Sequence, residues 1–170
     1  MVYIFFLLLQ LLMAGFMIYL LLAFVTGAPY VPSQMIRARR MIELAGITNG
    51  STVYDLGSGD GRMLFLAAEK GANAYGIEMN PFLVYFTWIR AIFTPYKKLV
   101  HVRCKNLWTT DVSSADVVFI YLLPWRMDQL AQKLKKELKK GSIVVSNSFI
   151  FPNWKIYKQD PELHVYAFRI

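Results

Sequence analysis

The distribution of apolar and polar positions divides the chain into an apolar leader and a longer, alternating remainder. Residues 3–25 (YIFFLLLQLLMAGFMIYLLLAFV) hold one strongly polar side chain, Gln10, and lack the polar stripe of a helix lying on a soluble core. A helix over this stretch, at about 1.5 Å per residue, reaches roughly 35 Å and is long enough for a hydrocarbon layer of about 30 Å. The pattern predicts one membrane-spanning helix, with a buried core helix as the alternative. A cleavable signal peptide needs a cationic start and an apolar run of about 7–15 residues; this segment lacks the first and exceeds the second. The span contains no Gly-xxx-Gly spacing and so offers no argument for helix pairing.

The Gly and Pro of residues 27–33 (GAPYVPS) mark a linker. Ser33 is placed to cap a helix running to about residue 45, with Met35, Ile36, Met41, Ile42 and Leu44 as its apolar stripe and Gly46 as its stop. Strand and helix signals then alternate. Strands are predicted over about 52–56, 74–78, 99–104, 116–122 and 142–146, and helices over about 61–70, 81–93 and 125–139. Two short tail strands follow, about 155–158 and 164–170. The runs DVVFIYLL (116–123) and SIVVS (142–146) are apolar without alternation, as in strands buried on both faces of a parallel sheet. This order predicts an α/β, doubly wound, mostly parallel sheet behind an N-terminal membrane helix. The organisation expected is an anchor over 1–26, a linker and pre-domain helix over 27–50, and one ligand-binding domain over 51–170.

Charge sharpens the division. Among 170 residues, 19 Lys+Arg stand against 11 Asp+Glu, a net charge of +8, and the first charge is Arg37. Arg37, Arg39 and Arg40 follow the leader, so the positive-inside rule predicts an outside N-terminus and a cytoplasmic domain. The absence of an Arg- and Ser-rich transit segment favours a prokaryotic membrane over a mitochondrial inner one. Disorder, collagen-like repeats and a multi-span transporter are excluded by this composition. The single cysteine, Cys104, excludes an internal disulfide framework and a cysteine-based zinc site, and His101 and His164 suggest no metal.

The chemistry concentrates in Val53–Arg62 (VYDLGSGDGR), at the turn from the first core strand into a helix. Glycines there let backbone approach a ligand closely, and the helix start offers free N–H groups. A dinucleotide fingerprint requires glycine where Arg62 stands, and the Gly-Lys-Ser/Thr of a P-loop is absent. Asp55 at the strand end would repel a pyrophosphate and suits a ligand with a cationic amino group. S-adenosylmethionine carries one, together with a sulfonium and no phosphate. Glu78, at the end of the second strand, can accept hydrogen bonds from both ribose hydroxyls. Asn106-Leu107-Trp108, after the third strand, could meet the polar edge and the ring of adenine.

These residues resemble the class I S-adenosylmethionine-dependent methyltransferases, and more narrowly the small protein-lysine methyltransferases that modify the c-ring protein of ATP synthase and the adenine nucleotide translocase. The resemblance is carried by GAPYVPS (27–33), YDLGSGDGR (54–62), GIEMNP (76–81), KNLW (105–108), DVVFIYLLP (116–124) and SNSFIFPNW (146–154). It implies a seven-stranded methyltransferase sheet and S-adenosylmethionine as cofactor. It also implies that Asp55, Gly57, Ser58, Gly59 and Gly61 cradle the methionine part, with Asp60 as a further contact or a helix cap. Glu78 and Met79 would hold the ribose side, and Asn106 and Leu107 would flank the adenine. Tyr30 would close over cofactor and target, and Tyr121 would stand near the methyl group. The Asn/Asp-Pro-Pro-Tyr signature of many nucleic-acid amino methyltransferases is replaced by Tyr121-Leu122-Leu123-Pro124, which favours a protein amine.

Each of these residues has a plainer reading: Tyr30 as an interfacial aromatic, Tyr121 as a packed core residue, Asn106 as a turn residue and Glu78 as a surface acid. The cations of 132–140 (QKLKKELKK), namely Lys133, Lys135, Lys136, Lys139 and Lys140, read either as a solvated helix face or as a contact for anionic lipid headgroups. Nucleic acid is not expected as a partner, since aromatics interleaved with basic residues are not evident. The expected activity is transfer of a methyl group to a lysine of a membrane-associated protein. A lipid or quinone-like substrate, and a non-catalytic cofactor-binding membrane adaptor, are the alternatives.

Overall fold

The computed structural model describes residues 2–26 and 31–170; inside the first helix, side chains are described for residues 2–18 and 21. Two compact units are present, Met1–Tyr30 and Val31–Ile170. The first contains helix α1 (Val2–Thr26). Among the described residues no helix is long and apolar enough to cross a membrane, so the anchor expected over 3–25 is not established by the structure.

The second unit follows the predicted alternation: α2 (Met35–Ala45), β1 (Thr52–Leu56), α3 (Arg62–Ala68), β2 (Asn73–Glu78), α4 (Pro81–Ile92), β3 (Val100–Cys104), β4 (Val117–Ile120), α5 (Met127–Glu137), β5 (Ile143–Asn147), β6 (Ile156–Asp160) and β7 (Val165–Arg169). The seven strands form one sheet in the order β3-β2-β1-β4-β5-β7-β6. The first five are mutually parallel; β7 runs antiparallel to β5, and β6 closes a hairpin against β7 with a bulge between Ile156 and Lys158. Strand order reverses between β1 and β4, the switch point at which doubly wound sheets open a crevice at their carboxyl edge.

Alternation within strands builds two cores. Val53, Val117, Phe119, Ile143, Val145, Val165 and Ala167 join the buried residues of α2 and α3 in one cluster. The intervening Val118, Ile120, Val144 and Phe168 are also buried and point to the opposite face, where Phe151 and Trp154 stack on each other and edge onto Phe168. Further along that face the register aligns Tyr54, Tyr75 and His101, whose rings stack at centroid spacings of 5.2 and 4.8 Å.

Two local expectations change. Ser33 does not cap α2: the N-cap is Gln34, without a side-chain bond, while Ser33 Oγ accepts from Asn147 Nδ2 at 2.9 Å. Gly46 does stop the helix, at φ 63°. The lysine run of 133–140 divides: Lys135, Lys136, Lys139 and Lys140 are exposed, as on a solvated face, and Lys133 is not. Lys133 is largely buried and donates to Glu137 and to the Thr110 carbonyl, Lys139 pairs with Asp116 at 2.6 Å, and Lys135 lies over the Trp154 ring.

Candidate functional site

The carboxyl ends of β1, β2, β4 and β5 meet at the switch point. β1 ends in Leu56 and turns through Gly57, Ser58, Gly59, Asp60 and Gly61 into α3. Gly57 and Gly61 take φ of 90° and 76°, left-handed conformations that glycine adopts without a Cβ penalty. The loop is tied to β2, because Gly57 N–H and Ser58 N–H both donate to the Ile77 carbonyl, at 2.8 and 3.1 Å. Glu78 continues the tie: one carboxylate oxygen accepts from Gly59 N–H at 2.9 Å and the other from Asn80 N–H at 2.8 Å. A carboxylate offers about four lone-pair positions, so Glu78 keeps acceptor capacity for hydroxyl groups.

Helix α4 locks the loop from the other side. Thr87 Oγ1 donates to the Gly59 carbonyl and Arg90 Nη1 to the Asp60 carbonyl at 2.7 Å. Asp60 precedes Gly61, which is the N-cap of α3 and carries no side-chain cap bond. The Asp60 carboxylate is gripped by Arg62 Nε, Nη2 and backbone N–H, and although burial pushes its pKa up, those bonds and the Arg62 charge leave it below the usual carboxylate value. Arg62 also donates to the Ser33 carbonyl, which ties the segment before α2 to the glycine loop.

Asp55 stands apart from this satisfied lattice. It is 6% exposed, and among the described residues nothing hydrogen-bonds its carboxyl. Burial, then the neighbouring charges of Glu78 and Asp60, push its pKa up to about 8. A buried carboxyl without a partner is satisfied by a proton or by an arriving cation, and an ammonium group supplies both charge and donors. Ser58 Oγ is likewise buried without a hydrogen-bond partner. Gly76, in register with Asp55, leaves room for it: a Cβ there would come within 2.7 Å of Ser58 Oγ and 2.6 Å of Leu64.

The other predicted residues lie around this centre. Met79 follows Glu78 and is half exposed. Asn106 caps the 3-10 turn Leu107–Thr109, its Oδ1 accepting from Trp108 N–H, so the amide nitrogen is what it can still offer; Leu107 is buried in that turn. Tyr121 directly follows β4 and is half-buried, its ring parallel to that of Phe149 at 6.4 Å. Tyr30 lies outside the described residues. Among the described residues, no group of three or more His, Cys, Asp or Glu side chains is placed to hold a metal.

The tying residues Thr87 and Arg90, and the cluster at the end of β5, were not assigned by sequence reading. In that cluster Arg37 Nη1 donates to Ser148 Oγ, Ser148 Oγ to Asn147 Oδ1 and Asn147 Nδ2 to Ser33 Oγ, with Ser148 at φ 71°. The segment SNSFIFPNW pointed to this position without indicating what its polar groups do.

Residues 55–158 match the family described as the ANTKMT methyltransferase domain. The chain belongs to this family. One curated relative is the protein-lysine N-methyltransferase of Saccharolobus islandicus (strain REY15A), 36% identical over 139 residues, or 78% of this chain and 84% of that protein. The adenine nucleotide translocase lysine N-methyltransferase of Mus musculus is 34% identical over 128 residues, 75% of this chain and 56% of that protein. The chain thus spans about half the length of the vertebrate relatives it matches. Among solved structures, an RNA methyltransferase from Salinibacter ruber in complex with S-adenosyl-L-homocysteine superposes with a TM-score of 0.79 at 36% identity, covering 82% of this chain and 94% of that one.

Proposed function

We propose that this family member is an S-adenosylmethionine-dependent protein-lysine N-methyltransferase acting on a membrane-associated protein. The observation that carries the reading is the buried carboxyl of Asp55 at the head of the glycine loop, without a hydrogen bond among the described residues. It fits the amino group of a methionine moiety, whose positive charge favours the ionised carboxylate; a phosphate-bearing cofactor would instead hold the carboxyl protonated. Gly57, Ser58 and Gly59 line the same turn, Glu78 retains acceptor capacity for the ribose, and Asn106 offers its amide to the adenine.

The cofactor, when bound, supplies an electrophilic methyl group on a sulfonium. The chain's own contribution is mainly positioning, because the positive charge only moves from sulfur to nitrogen and little new charge needs stabilising. A lysine ammonium, with an unperturbed pKa of about 10.4, has no lone pair for attack. A low-dielectric mouth favours the neutral amine. The stacked Tyr121 and Phe149, with exposed Ile150 and Trp125 near them in sequence, give such a rim, and the Tyr121 hydroxyl can orient the amine.

Membrane anchoring belongs to the same proposal. Residues 1–36 carry no charge, and a 25-residue helix covers Val2–Thr26. The arginines at 37, 39 and 40 then favour a cytoplasmic domain. Tethering raises the concentration of a membrane substrate around the site.

The test uses membranes containing the full-length chain and methyl-labelled S-adenosylmethionine, with Asp55→Ala as control. Label on a protein band, lost in the control and recovered as methyl-lysine, supports the proposal. Label in the organic extract replaces it with a lipid or quinone-like substrate, and label in RNA with the activity named for the Salinibacter ruber relative. Cofactor binding without any label, across membranes from several sources, leaves an adaptor.

A further inference from the structure

Helix α4 is built inside out. Its fully buried side chains are Thr87 and Ala91, among the smallest it has. Its largest are exposed: Phe82, Tyr85, Phe86, Trp88 and Ile92, with Phe93 just after its end, Phe82 and Phe93 at 83% and 84%; of these, Trp88 and Ile92 also line a cavity against β3. A helix that merely covers a sheet does the reverse. A whole aromatic side chain presents on the order of 150–250 Å², and with between about half and four-fifths of that in solvent at each position this face still exceeds the few hundred Å² of apolar patch that a soluble monomer ordinarily shows.

The charge around the face has one sign. Between Glu78 and Asp111 the chain carries Arg90, Lys97, Lys98, Arg103 and Lys105 and no acid. Arg90 is committed to the Asp60 carbonyl, but Lys97, Lys98, Arg103 and Lys105 are exposed. Lys97 and Lys98 lie in the turn that follows the helix, just beyond Phe93. Trp and Tyr beside Phe and Ile, edged by lysine, is the composition of side chains that settle at the headgroup level of an anionic bilayer. The face also continues into the candidate site, because Met79, half exposed, joins Glu78 to the start of α4.

We propose that the outer face of α4 docks on the surface of an anionic lipid bilayer and sets the mouth of the site against it. The occupant is the lipid surface itself: the aromatics enter the interface and the lysines meet the headgroups. The sequence pattern put the lysines of 133–140 forward for this role; Lys133 is tied inside the domain, Lys139 pairs with Asp116 and Lys135 lies over Trp154, and the apolar area lies on α4 instead.

The experiment places the full chain, carrying Cys104→Ser, in vesicles of phosphatidylcholine and phosphatidylglycerol. A bimane label is attached at Phe82→Cys, at Phe93→Cys or at Glu162→Cys; the last is an exposed control in the β6–β7 turn at the opposite edge of the sheet. Phe82 and Phe93 are so exposed that their replacement leaves the core untouched. Brominated acyl chains are expected to remove most of the emission at 82 and 93 and little at 162. Emission at 82 and 93 that survives the brominated lipid and yields to aqueous iodide overturns the proposal, with the face in water. Shielding from both quenchers overturns it too, since a protein then covers the face. Alkaline carbonate extraction reports separately on the anchor: a chain that is extracted, yet quenched at 82 and 93 beforehand, loses the anchor reading and keeps the α4 face.

Discussion

Asp55 and Glu78 stand in the last two residues of adjacent parallel strands, yet among the described residues the first has no hydrogen-bond partner and the second is engaged through both its oxygens. Glu78 bonds Gly59 N–H and Asn80 N–H, while the Asp55 carboxyl is buried with no hydrogen bond among the described residues. The two acids therefore divide the work at the site. One holds the loop, and the other waits for a cation.

The pH dependence of stability follows from Asp55. Its folded pKa of about 8 lies above the ordinary 3.8, so between those values the folded chain keeps a proton that the unfolded chain has released. Stability of the cofactor-free protein falls as pH rises through this window, by up to about 1.4 kcal/mol per pH unit. Asp55→Asn should flatten that slope in thermal melts. It should also weaken S-adenosylhomocysteine binding by about 10- to 100-fold in calorimetry, the scale of a charged hydrogen bond. A variant that loses binding while gaining stability at pH 8 separates a ligand-binding carboxyl from a structural one.

Glu78→Ala removes the acceptor for two backbone donors and should cost about 1–3 kcal/mol in urea unfolding, besides weakening cofactor binding. Glu78→Gln, which keeps one good acceptor oxygen, should lose about half of that stability. Equal costs for the two variants would show that the backbone bonds are not what Glu78 provides.

Gly57→Ala and Gly61→Ala separate backbone strain from collision. Both residues have positive φ, but a Cβ at Gly57 meets nothing within 4 Å, whereas one at Gly61 runs into Thr87. Gly57→Ala is expected to cost about 1–2 kcal/mol, the penalty of a left-handed residue. Gly61→Ala should cost measurably more and should also disturb the Thr87–Gly59 bond. Comparison of the two denaturation midpoints checks the ranking.

On α5, Lys133→Ala should destabilise by about 1–3 kcal/mol, because it strips a largely buried ammonium from Glu137 and from the Thr110 carbonyl. Lys136→Ala, at an exposed position of the same run, should stay within about 0.5 kcal/mol. Neither should change vesicle binding if α4 carries the lipid contact.

Much of the architecture was legible because parallel strands announce themselves. The uninterrupted runs around Val117–Ile120 and Ile143–Asn147 can be little else, and the Asp55–Gly61 turn carries its own chemistry. Boundaries moved by one or two residues where strands ended in loops. The less legible parts depended on distant partners. Ser33 has the residue type of a helix cap, but its hydroxyl meets Asn147 from a strand formed 114 positions later. The α5 lysines read as one charged face because a sequence pattern does not show that Glu137 and the Thr110 carbonyl converge on Lys133. Helix α4 is apolar nearly all round, so periodicity alone could not say that Thr87 and Ala91, rather than the aromatics, face the sheet.

The placement of α2 governs the order in which the chain can be completed. This helix packs on β5 and β7, and Arg40 reaches Asp160, 120 residues away, at 2.7 Å. On a ribosome α2 therefore emerges with its apolar stripe bare, and its seat does not exist until the final hairpin has left the exit tunnel. Losing the last two strands would thus cost more than an edge of the sheet, because the segment that leads from the leader into the domain would have nothing to rest on.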